Sequence, residues 1–104
     1  MPWRKNSPQY FFNQELIRAN APADSGVYGL YDVMEWIFID ETANIREALL
    51  DHRKGIDACV RGLTPTGFTF ELCPAELRAE RAAELIAELQ PLCNKEKLRK
   101  VGGA

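Results

Sequence analysis

The chain has 104 residues, 46% of them hydrophobic, which suits one small domain with a single core. It has no run of eighteen apolar residues, so nothing in it reads as a membrane span. Its net charge is −2 and its pI about 5.4, so it lacks the basic excess from which a dedicated nucleic-acid binder draws most of its affinity.

The opening "MPWRKNSPQYFF" has no continuous apolar stretch and no small-residue cleavage site. No signal peptide is expected, and the chain is assigned to the cytoplasm. Residues 1–20 form an N-terminal segment, loosely held as far as residue 8 and followed by a short helix over Asn13 to Ala19. Trp3, Tyr10, Phe11 and Phe12 crowd this segment. Whatever part of them does not pack on the domain is available to a second copy, so a homodimer is one expected arrangement.

"APADSG" gathers Pro22, Asp24, Ser25 and Gly26 into a turn. "GVYGLYDV" is rich in aromatic and β-branched residues and reads as a strand. "VMEW" makes a tight connection to "WIFID", a short apolar run that reads as a buried strand, so the pair forms a hairpin. "ETANIREALLDHRKG" has the marks of a helix. Thr42 or Asn44 caps it, Glu47 lies in its first turn, and Gly55 ends it. Ile45, Leu49 and Leu50 mark its apolar stripe, with His52 at the edge.

A short helix is expected over Ile56 to Arg61, before the break at Thr64-Pro65. "FTFELC" alternates Phe68, Phe70 and Leu72 with Thr69 and Glu71, the period of a strand. "PAELRAERAAELIAEL" is the strongest helix, with Pro74 suited to its first turn, Leu77, Ala82, Leu85, Ile86 and Leu89 at helical spacing, and Pro91 as its stop. Residues 95–104 form a basic tail containing Lys95, Lys97, Arg99 and Lys100. The order predicts an α+β domain, a three-stranded antiparallel sheet flanked by helices.

Cys59, Cys73 and Cys93 are odd in number and widely spaced, which does not suggest a disulfide framework. They read as small apolar fillers. A zinc site built from them and His52, the one histidine, lacks a close C-x-x-C pair to start it.

Several of these residues together carry a family likeness. Gly26-Val27-Tyr28, then Phe38-Ile39-Asp40 ten residues on, then "NIREALLDH" and finally "ELIAELQPLCN" resemble a GIY-YIG nuclease domain over residues 21–94. In active members two tyrosines, one from each tripeptide, sit beside an arginine on the first helix, and a glutamate on the last helix binds one divalent metal. The resemblance implies that Tyr28 is the first tyrosine. It places Phe38 at the second tyrosine, Asp40 at the glycine, Ala48 at the arginine and Ala82 at the metal glutamate. Asn94 keeps the closing asparagine, a structural element.

No near neighbour replaces the missing groups. Each helical residue advances about 100°, so Arg46 lies far round the helix from position 48, as Glu80 and Glu84 do from position 82. A phosphodiester gains negative charge in its transition state, and each group that offsets it supplies roughly 3 kcal/mol. From Asp32 to Asp57 seven acids face three bases, which repels a phosphate further.

The resemblance therefore implies a catalytically degenerate domain, a non-catalytic binding or interaction module. Its partner would be an unidentified protein, or nucleic acid bound weakly, with no membrane and no cofactor. The alternative is a metal-dependent endonuclease acting on DNA through other residues, or a parent enzyme that has been knocked out; only that reading calls for Mg²⁺ or Mn²⁺. Arg46, His52, Lys95 and Lys97 are the binding candidates. The plain readings of these residues are a solvated helix arginine, an interior-edge histidine and a solvated basic run. Asp40, Glu41, Asp51 and His52 would be the ligands of a rebuilt cation site; an exposed acidic face is the simpler reading.

Overall fold

The computed structural model describes Trp3 and residues 6–94, so the basic tail with Lys95 and Lys97 lies outside the described residues. The elements are β1 (Tyr10–Phe11), α1 (Gln14–Asn20), β2 (Gly26–Tyr31), β3 (Trp36–Thr42), α2 (Ile45–Arg53), α3 (Ala58–Leu63), β4 (Gly67–Leu72) and α4 (Ala75–Leu89). The fold is α+β, with one antiparallel sheet in the order β1-β4-β2-β3.

The sheet has four strands where the sequence pattern predicts three. Tyr10 and Phe11 pair their main chains with Phe68 and Gly67. Two residues are too few to show a period of two, so the pattern carries no sign of this strand. Aromatic packing places it: the Tyr10 ring lies 5.4 Å from Phe68 and 6.5 Å from Phe70.

Side chains set the element boundaries. Asn13 caps α1 by accepting from the Leu16 N–H at 2.8 Å. Of the two caps offered for α2, Asn44 is the one used, accepting from Glu47 N–H at 3.0 Å. Thr42 Oγ1 in turn accepts from Asn44 N–H at 3.1 Å. Gly55, at φ +84°, occupies the left-handed region just past the end of α2. The small helix begins two residues later than predicted, because Asp57 accepts from Val60 N–H at 3.1 Å and so caps α3. Between β2 and β3, Asp32 Oδ1 accepts from the N–H groups of both Met34 and Glu35 at 2.8 Å, an Asx turn.

Helices cover both faces of the sheet, so every residue of β2 is buried. In the ladder Tyr28 pairs with Asp40 and Leu30 with Phe38, which puts these four on one face. There Tyr28, Leu30, Phe38 and Phe68 pack with Phe12, Ile17 of α1, Ile45 and Leu49 of α2, and Val60 of α3. The opposite face joins Val27, Tyr31, Trp36 and Ile39 to Ala82 and Leu85 of α4. Each large aliphatic or Phe side chain among these contributes about 1.5–3 kcal/mol on burial. Two positions expected inside lie outside: Leu72, at the end of β4, is 60% exposed and Leu77 of α4 is 52% exposed.

The cysteine expectation fails. Cys59 and Cys93 form a disulfide, with their Cα atoms 5.7 Å apart across a separation of 34 residues. Spacing along the chain does not report this approach; the return of the chain after α4 toward α3 creates it. Cys73 is free and half-buried. Among the described residues no helix is long and apolar enough to cross a membrane.

Candidate functional site

Beside Tyr28 lies an open cavity of about 340 Å³. β2 and β3 supply Tyr28, Phe38 and Asp40; α2 supplies Ala48, Asp51 and His52; Asp57 comes from the start of α3. Four of the five sequence-derived positions therefore converge: Tyr28, Phe38, Asp40 and Ala48. The fifth does not. Ala82 is buried against Val27 and Ile39 on the far face of the sheet, so no groove joins it to Tyr28 and Ala48. The face of α4 that carries Ala82 also carries Arg78, whose Nε donates to Glu41 at 2.7 Å.

The floor of the cavity is aromatic. The rings of Tyr28, Phe38 and His52 lie 5.1–6.2 Å apart, tilted 51–58° to one another. The Tyr28 hydroxyl and His52 Nε2 share a hydrogen bond at 2.9 Å, in which the imidazole tautomer sets the direction. Burial raises the pKa of the Tyr28 phenol well above its ordinary value near 10, and the charges of Asp40, Asp57 and Asp51 raise it further. The phenol therefore stays protonated at neutral pH and is no base in this setting.

His52 thus takes the interior-edge role. It is half-buried, near the end of α2, with its ring against Phe38 and Tyr28. Arg46 turns away from the cavity, as the helical spacing predicts: its Nε donates to the Ala21 carbonyl at 2.8 Å and ties α2 to the turn before β2. Arg53, the other arginine of α2, lies over the Phe12 ring, 5.2 Å from its centroid. Among the described residues that line the cavity there are four carboxylates, Asp40, Glu41, Asp51 and Asp57, and no lysine or arginine.

The rebuilt cation site is not assembled. Among the described residues no group of three or more His, Cys, Asp or Glu side chains could hold a metal ion. The reason is direction: Glu41 belongs to the opposite face, where it meets Arg78, while Asp40 accepts from the neighbouring Glu41 N–H at 2.8 Å.

A larger groove of about 650 Å³ opens around Tyr31, at the opposite end of β2, between Tyr10, Phe11, Leu16 and Val33. It is apolar, and its carboxylate, Asp32, already holds the hairpin turn. Of the N-terminal aromatics, Trp3 packs on Trp36 with ring centroids 5.6 Å apart and donates from Nε1 to Glu71 at 3.0 Å. Phe12 is buried, and Phe11 is 73% exposed.

The sequence reading missed two polar contacts that hold the domain together. Arg81 bonds both carboxylate oxygens of Glu71, at 2.8 and 3.2 Å. Asn94 bonds both main-chain groups of Ile39. The residue types alone carried no sign of the first; the closing asparagine was recognised, but not its partner. Comparison of the chain with protein-family models, curated proteins and solved structures returns no match.

Proposed function

We propose that this chain is a GIY-YIG-like domain that has lost its catalytic groups and serves as a binding module, with a protein as its partner. The order and spacing of the Tyr28, Phe38, "NIREALLDH" and Asn94 segments support the likeness. The loss of catalysis rests on one observation: the cavity beside Tyr28 is lined by Asp40, Asp51 and Asp57, with Glu41 turned to Arg78, and by no lysine or arginine among the described residues. A scissile phosphate there would meet repulsion, with nothing to offset its growing charge. The same field favours a protein partner over nucleic acid, whose affinity comes from phosphate contacts. The proposed location is the cytoplasm, where a bond such as Cys59–Cys93 forms transiently or under oxidants.

Purified protein, incubated with single-stranded, double-stranded and branched DNA in Mg²⁺ or Mn²⁺, is expected to leave every substrate intact. Restoring Phe38→Tyr, Asp40→Gly, Ala48→Arg and Ala82→Glu together is expected to give no cutting either, because position 82 lies across the sheet from position 28. Metal-dependent cleavage by the unaltered chain, abolished in Tyr28→Phe, would overturn the proposal. DNA affinity that falls by several powers of ten per tenfold rise in salt would move the partner from protein to nucleic acid.

A further inference from the structure

The segment after α4 closes an open edge of the sheet. β3 is an outer strand, and Ile39 near its middle turns its N–H and C=O away from β2. Asn94 meets both: Oδ1 accepts from the Ile39 N–H at 2.7 Å, and Nδ2 donates to the Ile39 carbonyl at 2.8 Å. One side chain thus imitates a residue of a neighbouring strand. It is nearly removed from water, at 6% exposure.

What brings Asn94 there is not α4. That helix ends at Gln90, which takes φ +48°, and Pro91 cannot continue it. Pro91 is then buried, residues 92–94 make a helical turn, and within that turn Cys93 is bonded to Cys59 of α3. The disulfide therefore sits one residue from the side chain that covers the edge.

We propose that the Cys59–Cys93 bond is a redox-operated latch: it holds Asn94 against β3, and its reduction by a small thiol opens that edge. The reductant's thiolate attacks the sulfur of Cys59, the half-buried partner, since Cys93 is 2% exposed. The sulfur–sulfur bond breaks and a mixed disulfide forms on Cys59. The electron pair leaves with Cys93, which takes up a proton. A second thiol then attacks the mixed disulfide, releasing the Cys59 thiol and an external disulfide. Two electrons and two protons have passed to the protein, and two thiols have become one disulfide. Asn94 is then tethered by its two hydrogen bonds and by the packing of its segment. Once it leaves, Ile39 presents an unpaired N–H and C=O within the run Trp36-Ile37-Phe38-Ile39, an apolar edge of the kind that accepts another strand.

The test uses the full chain and dithiothreitol. Under native conditions a thiol count is expected to give one reactive group, Cys73, before reduction and three after it. Amide hydrogen exchange followed by NMR is expected to show the rate at Ile39 rising at least tenfold more after reduction than the rates of the β2 and β4 amides, which share only the general loss of loop closure. Asn94→Ala in the oxidised chain should give the same acceleration at Ile39 with the thiol count unchanged, and Cys59→Ser should give it without reductant. If Cys59→Ser does not fold, the reduced wild-type chain carries the test. An unchanged Ile39 rate in protein shown to be reduced overturns the latch. Acceleration of Ile39 by no more than the β2 and β4 amides also overturns it, since the bond is then a general staple and nothing more. Three reactive thiols before reduction overturn it as well.

Discussion

The two faces of this sheet handle charge in opposite ways. On the face covered by α4, arginines answer carboxylates: Arg78 bonds Glu41, and Arg81 grips Glu71 with two nitrogens while Trp3 donates to the same carboxylate. On the face covered by α1, α2 and α3, the carboxylates Asp40, Asp51 and Asp57 gather round a cavity whose aromatic floor holds Tyr28 and His52 together. Among the described residues Arg46, Arg78 and Arg81 join elements, and the lining of the cavity beside Tyr28 has acids and no lysine or arginine.

The largest test of this comparison concerns packing. Phe68, fully buried among the α1–α3 cluster, should cost about 3–5 kcal/mol when changed to alanine. Leu85→Ala on the α4 face should cost about 2–5 kcal/mol. Urea unfolding measures both. If Leu85→Ala proves much the costlier, the main core lies under α4 and the comparison is inverted.

Next comes the covalent link. Closing a loop across 34 residues restricts the unfolded chain, so Cys59→Ser should lower stability by about 3–4 kcal/mol against the oxidised protein. Against the reduced protein it should change little, as read by unfolding with and without reductant.

The arginine pairs sharpen the contrast at smaller scale. Hydrogen bonding to Glu71 raises the Arg81 guanidinium further above its ordinary range. Arg81→Met should cost about 1–3 kcal/mol, because it leaves a partly buried carboxylate with one donor fewer. A double-mutant cycle with Glu71→Gln should return a coupling energy of the same sign.

The smallest effect lies at the cavity. Tyr28→Phe removes one hydrogen bond, to His52, and should cost about 1 kcal/mol near neutral pH. Its pH dependence is more informative. The folded phenol holds its proton above the ordinary value near 10, so above pH 10 the native state binds more protons than the unfolded chain. Its contribution is complete below pH 10 and fades as pH rises beyond it. Denaturant midpoints at pH 8 and pH 11 should therefore fall further apart in the wild type than in Tyr28→Phe.

Periodicity and caps made most of the elements legible in the sequence. The aromatic and β-branched content of "GVYGLY", the apolar run "WIFID", the cap offered by Thr42 or Asn44, the Gly55 stop and the long stripe ending at Pro91 all placed their elements correctly. The same signals were silent where an element was too short or a cap was out of view. Tyr10–Phe11 showed no period, and Asp57 moved the start of α3. The candidate site was legible only in part. Tyr28, Phe38, Asp40 and Ala48 converge because strand alternation and one helical turn govern their directions. The resemblance named all five positions, but Ala82 stays apart because α4 packs on the other face.

By itself, then, the sequence determined local matters: which residues turn, which start and stop helices, and which side of each element is apolar. These follow from φ/ψ preference, capping and hydrophobic period, which act over a few residues. Tertiary structure alone decided which helix covers which face, that Cys59 meets Cys93, that Asn94 seals the edge of β3, and that the acids of one face have no arginine among them at the cavity. Those outcomes depend on how two apolar faces share four helices, and no window of the chain contains that information.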